Sequence, residues 1–179
     1  MRRVYPFLLA ALLVFSQLSF SWARGFDHQR IASEIFGIEV PVPRIVCLSQ
    51  QKWQRMISEV NSVVQEISAG NDKRHFSEKN TIGLYLAGGM FEDDTIYIRY
   101  DFCGDERVLA HEAGHHLYHY LPLEQREIWI KRLCGRLYRT DDIVACCDKM
   151  GLLPYEKVNG SEIFSELYER FIFKEKLRR

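Results

Sequence analysis

An excess of charge of either sign is what this chain most clearly lacks: 24 basic residues stand against 24 acidic ones over 179 positions, for a formal net charge of zero. Gripping phosphates needs a basic surplus, so nucleic-acid binding is excluded as its main business. With 11 glycines and 5 prolines there is no collagen-like period, and neither an internal repeat nor a low-complexity segment interrupts the sequence. Beyond Phe20 no apolar run approaches spanning length, which excludes a polytopic membrane protein. No two cysteines have the C-x-x-C spacing of a thiolate zinc site. What is present, 47% apolar and 27% charged side chains, suits one folded domain with a core of its own.

The first residues are set apart from that domain. Met1-Arg2-Arg3 is a short basic lead, Val4 to Phe20 is apolar apart from Pro6, Ser16, Gln17 and Ser19, and Ser21-Trp22-Ala23 is a small-x-small site. That order predicts a secretory signal peptide over residues 1–23, cleaved after Ala23, with residues 24–179 as the exported domain. The alternative is an uncleaved anchor, since about twenty apolar residues can cross a bilayer; Pro6 and the Ser16-Gln17 pair weigh against it. Either way the basic end stays inside and the remainder is exported, to the periplasm or beyond. Cleavage leaves a mature chain without a membrane span and still close to neutral.

Export gives the five cysteines a role. In an oxidising compartment disulfides persist, and two bridges with one thiol left over are expected. Spacing favours Cys134 with Cys146 or Cys147, clipping two helices together, and Cys47 with Cys103.

The periodicity of the mature chain is helical, then strand-like, then helical. Residues 26–37 read as a short amphipathic helix ended by Gly37, after which Pro41 and Pro43 impose an extended connector. Ser49 opens a longer helix carrying Trp53, Ile57, Val60 and Val64 on one face and stopping at Gly70-Asn71, with a loop from Asp72 to Asn80. Thr81–Ala87 and Thr95–Tyr100 are short runs rich in β-branched and aromatic residues and read as strands. Helices follow from Asp105 to Leu121, from Leu123 to Arg139, over 142–150, and from Ser161 to about Lys176. The expected class is α+β, with a small sheet packed on the helix that begins at Asp105.

That helix contains His111-Glu112-Ala113-Gly114-His115. Residues four apart differ by about 40° in direction, so two imidazoles at this spacing can converge on one ion, with Glu112 at the edge of the site. Zinc takes histidine nitrogen readily and in catalytic sites keeps one position open for water. Gly114 in mid-helix costs about 1 kcal/mol against alanine, which points to something approaching the backbone closely. The bland alternative, a surface helix that happens to carry histidines, fits poorly with Val108, Leu109, Ala110 and Ala113 around the motif.

Two histidines need a third protein ligand. His119 lies on nearly the same face but is read as packing or lining a cleft, and His116 as exposed or supporting. Asp141, Asp142 and Asp148 are candidates, but the last helix offers the stronger pattern. Glu162 and Glu166 share one face of an otherwise apolar helix, so one carboxylate can bind a metal and the other can accept from a ligand histidine. The competing reading is a solvated acidic face that Glu169 would join.

LAHEAGHHLYH followed by SEIFSELYERF resembles the gluzincin zinc metallopeptidases, closest in style to the minigluzincins and the catalytic domain of anthrax lethal factor; the likeness covers roughly residues 81–176. It implies a zincin-like domain binding one zinc ion through His111, His115 and Glu162, with Glu112 as general base and Glu166 buttressing a ligand histidine. The resemblance also implies that the strand before the active helix, matched by Thr95–Tyr100, is a docking edge for extended substrate. Tyr155 stands where the family places its oxyanion-stabilising side chain, with Tyr118, His119 and His75 as alternatives. The implied activity is an exported zinc-dependent endopeptidase acting on protein or peptide substrates. The alternatives are a non-catalytic metal-binding module and a disulfide-stabilised interaction domain; Glu112 argues against the former, since a structural zinc site has no use for a base.

Overall fold

A computed structural model describes residues 27–67, 76–77, 79–87, 94–152 and 159–176. The expected signal peptide, the stop at Gly70-Asn71 and Tyr155 lie outside these residues. The described chain is α+β, with six α-helices and a sheet of three strands.

Asp27 starts the first helix, α1 (His28–Ile31), by accepting from the amide of Arg30, and a wider turn over Ala32–Phe36 carries it to Gly37. Gly37 adopts a φ of 70°, the left-handed stop expected of a glycine there. The two prolines then straighten the chain into β1 (Arg44–Leu48), a strand where sequence reading gave only a connector. Four apolar residues behind a proline carry no readable period, and the strand is defined by the partner it finds. The long helix α2 (Gln50–Ile67) follows, with Trp53 fully buried.

β2 (Gly83–Leu86) and β3 (Thr95–Arg99) coincide with the two predicted strands. The sheet order is β1-β3-β2, with β1 parallel and β2 antiparallel to β3. This corrects one expectation. Thr95–Arg99 is the central strand, bonded on both sides, so it cannot be a docking edge. Among the described strands, the edge beside the motif helix is β2.

The remaining helices match their predicted limits closely: α3 (Glu106–Tyr120), α4 (Leu123–Tyr138), α5 (Ile143–Met150) and α6 (Gly160–Lys176). Asp105 caps α3 by accepting from the amides of Arg107 and Val108, Asp142 caps α5 in the same way, and Asn159 accepts from Glu162 at the start of α6. The main core lies where α3, α4 and α6 meet, with Leu117, Leu133, Phe164, Leu167 and Tyr168 at its centre. Each such side chain contributes about 1.5–3 kcal/mol by leaving water. A second cluster, Ile96, Ile98, Val108 and Leu109, glues β3 to α3.

Two disulfides close the fold. Cys47–Cys103 ties β1 to the segment before α3, and Cys134–Cys146 ties α4 to α5, leaving Cys147 buried and free. Closing loops of 56 and 12 residues contributes about 4 and 3 kcal/mol in the chain-entropy account. Bridges of this kind belong to an oxidising environment. No described helix is long and apolar enough to cross a membrane.

Candidate metal centre

The motif helix and the last helix cross at Gly114. A β-carbon there would stand 2.7 Å from the Cα of Ser165, so glycine is what lets the two backbones meet. The crossing brings the first turn of α6 up to the imidazoles of α3.

The two motif rings stand with centroids 5.0 Å apart. His111 Nε2 lies 3.3 Å from one carboxylate oxygen of Glu162, and His115 Nε2 lies 3.4 Å from the other. A charge-assisted hydrogen bond would draw such atoms to about 2.7–2.9 Å. The observed separations, each to a different oxygen, are longer than that and close to the spacing of two ligands, about 3.3–3.4 Å, on an ion held at roughly 2.0–2.1 Å. Two imidazole nitrogens and one carboxylate oxygen, all within 4.8 Å of one another, form a donor set suited to zinc.

The rings are held from behind. His115 Nδ1 is 2.8 Å from the hydroxyl of Ser161, so adjacent residues of α6 support one imidazole and face both. His111 Nδ1 faces two carboxylates, Glu169 at 3.8 Å and Glu166 at 3.9 Å. His111, Glu166 and Glu169 also satisfy the distance test for a metal group. There, however, Glu166 already receives the Arg170 guanidinium at 2.6 Å, and Arg107 lies 3.7 Å from Glu169. With cations in place, these carboxylates are already paired, which leaves them less suited to hold an ion.

Charge follows the geometry. Burial would lower the pKa of His111, but the carboxylates of Glu162 and Glu169, with Glu112 behind them, outweigh it and raise the value to about 10. The same contacts to His111 and His115 hold the Glu162 carboxyl well below the ordinary range. A metal entering at neutral pH therefore displaces a proton from His111. Glu112 is buried, and desolvation raises its pKa against the pull of the two imidazoles. Its carboxylate rests against Gly83 of β2.

A cleft of about 840 Å³ runs over this centre between β2 and the start of α6. Tyr118 and His119 both line it, with the Arg126 guanidinium 4.7 Å over the Tyr118 ring. The other alternative donor, His75, lies outside the described residues, as Tyr155 does. Asp142 is spent on its helix cap, and neither Asp141 nor Asp148 belongs to a metal group among the described residues. His116, expected to be exposed or supporting, is fully buried on the far side of α3, where Nδ1 meets His28 Nε2 at 2.9 Å.

Sequence reading did not assign Ser161 or Gly83, and left Glu169 to a solvated face. Glu162, Glu166 and Glu169 sit at i, i+4 and i+7, so the pattern for the third carboxylate was visible; no period marks the other two. Comparison with known proteins finds no matching family model, no matching curated protein and no matching solved structure.

Proposed function

We propose that the chain is an exported zinc-dependent endopeptidase. The observation that carries this reading is the group of His111, His115 and Glu162, in which each carboxylate oxygen lies 3.3 or 3.4 Å from one imidazole nitrogen, beside a cleft and accompanied by a buried carboxylate that is not part of it. A purely structural site would close its fourth position with protein.

When bound, zinc supplies a Lewis acid and brings the pKa of a water in its shell to near 7. The chain's own residues do the rest. Glu112, whose burial raises its pKa toward the working range of a base, takes the proton of the attacking water. The water oxygen bonds to the scissile carbonyl carbon, and the carbon–nitrogen bond then breaks as Glu112 returns the proton to the leaving amine. Ser161 and the Glu166–Glu169 pair hold the imidazoles in register. An extended peptide adds its backbone to the open edge of β2, which gives affinity with little sequence preference. Tyr118, on the cleft wall, and Tyr155 are the candidate donors to the developing oxyanion.

Elemental analysis of the purified mature protein beside a chelator-sensitive cleavage assay tests the reading. Glu112→Gln is expected to keep one zinc per chain and lose at least about 10³-fold in hydrolysis, within the range carried by acid–base groups. His111→Ala is expected to lose the metal. Cleavage by Glu112→Gln at the native rate, or unchanged zinc in His111→Ala, overturns it.

A further inference from the structure

We propose that Gly83 forms a seat that aims the Glu112 carboxylate, which makes it a positioning residue for hydrolysis. The inference rests on the proteolytic reading for its catalytic consequence, but the seat itself is a matter of packing.

The register of β2 sets it up. The N–H of Arg99 donates to the carbonyl of Ile82 at 3.0 Å. Bonded pairs alternate along an antiparallel ladder, so Leu84 and Leu86 spend their backbone groups on β3 while Gly83 and Tyr85 turn theirs to the open edge. Positions 83 and 85 lie on one face of the strand. On the same face Tyr85 packs its ring on His116 and His119, so positions 83 and 85 run down α3 beside Glu112 and its next turns.

At position 83 there is no room for a side chain. A β-carbon would stand 2.5 Å from Glu112 Oε1, 2.8 Å from its Cγ and 2.9 Å from its Cδ. Glu112 is only 6% exposed, so the space open to it lies toward the cleft that it lines. The backbone gives no other reason for glycine, because Gly83 is not among the residues with positive φ. A glycine in an ordinary strand conformation weakens the strand relative to alanine. Its presence here is explained by the carboxylate lying against it.

Gly83→Ala therefore carries opposite signs in two settings. In the metal-free protein with Glu112 intact, it is expected to lower the melting temperature by about 4 °C or more, the cost of overpacking. In the Glu112→Ala background it is expected to raise it, because only strand propensity remains. If Gly83→Ala stabilises both backgrounds, or destabilises both alike, the seat is wrong. In the zinc-loaded enzyme, Gly83→Ala should cut kcat by about 100-fold with KM and zinc content within about 2-fold, the effect of misplacing a base by an ångström. In the Glu112→Asp background, where the carboxylate is one methylene shorter, the same substitution should cost less than about 3-fold. Equal losses of kcat in the two backgrounds overturn the positioning role. A native protein without zinc or hydrolysis would sink the proteolytic reading while leaving the melting comparison to decide the seat.

Discussion

Both imidazoles of the centre are steadied through their far nitrogens, but by different chemistry. His111 has two carboxylates behind it; His115 has the single hydroxyl of Ser161 at 2.8 Å. Loss of one carboxylate leaves another, whereas loss of the hydroxyl leaves His115 Nδ1 without the side chain that fixes its ring plane. Ser161→Ala is therefore expected to weaken zinc binding by about 10–100-fold, the usual cost of removing such support, in a competition titration against a chromophoric chelator. Affinity within 2-fold of native would show that Ser161 does not orient His115. At this scale, the residues facing the ion were legible and those behind them less so. H-E-x-x-H and the i, i+4 glutamates announce themselves through helical spacing. The bond between Ser161 and His115 spans 46 positions and depends on how two helices dock.

Between elements, the decisive contact is the crossing of α3 and α6. Alanine at position 114 would gain about 1 kcal/mol of helix propensity, yet its β-carbon would meet backbone at 2.7 Å. Backbone cannot rotate out of the way as a flexible side chain can. Gly114→Ala should thus lose about 1–3 kcal/mol net and push α6, with Glu162 on it, away from the imidazoles. The expected result is a melting temperature lower by several degrees together with at least tenfold weaker zinc binding; a rise in melting temperature would mean the helices do not meet there. The need for glycine was readable in the sequence as a misfit with helix propensity, and Asp105 was readable as the opening of its helix, whereas the cap formed by Asp142 was not. The sheet order was not. Strand periodicity reports which faces are buried, not which neighbour a strand chooses, so β1 was taken for a connector and the central strand for an edge.

Across the whole molecule, the N-terminal segment is fastened to α3 and α6 through a buried polar chain. His28 Nδ1 meets the Tyr168 hydroxyl of α6 at 2.9 Å, and His28 Nε2 meets His116 Nδ1 of α3 at the same distance. His116 Nε2 is buried without a hydrogen-bond partner, so the network has no place for an added proton. Burial, with His116 beside it, holds His28 at a pKa of about 3. Burial also holds His116 at about 4, against the pull of Asp94 and with a smaller push from His119. Both lie below the 6.5 of a free imidazole. Groups with depressed folded values that are neutral when folded stabilise the fold above pH 6.5, and that contribution is lost as pH falls from 6.5 toward 4. His111 adds no slope in this window in the metal-free protein, because it is protonated in both the folded and unfolded states below 6.5. Glu112, with its raised carboxyl, acts in the opposite sense, so the cleanest measurement is on metal-free Glu112→Gln. Its melting temperature should fall by about 5–10 °C between pH 6.5 and 5, the equivalent of roughly 2–4 kcal/mol from two histidines. Adding His28→Gln should remove about half of that fall, because one of the two protons taken up on unfolding is gone. A melting temperature that is flat or rises over this interval would show that the two histidines are not held neutral, and the clamp between the N-terminal segment and the helices α3 and α6 would need another physical basis.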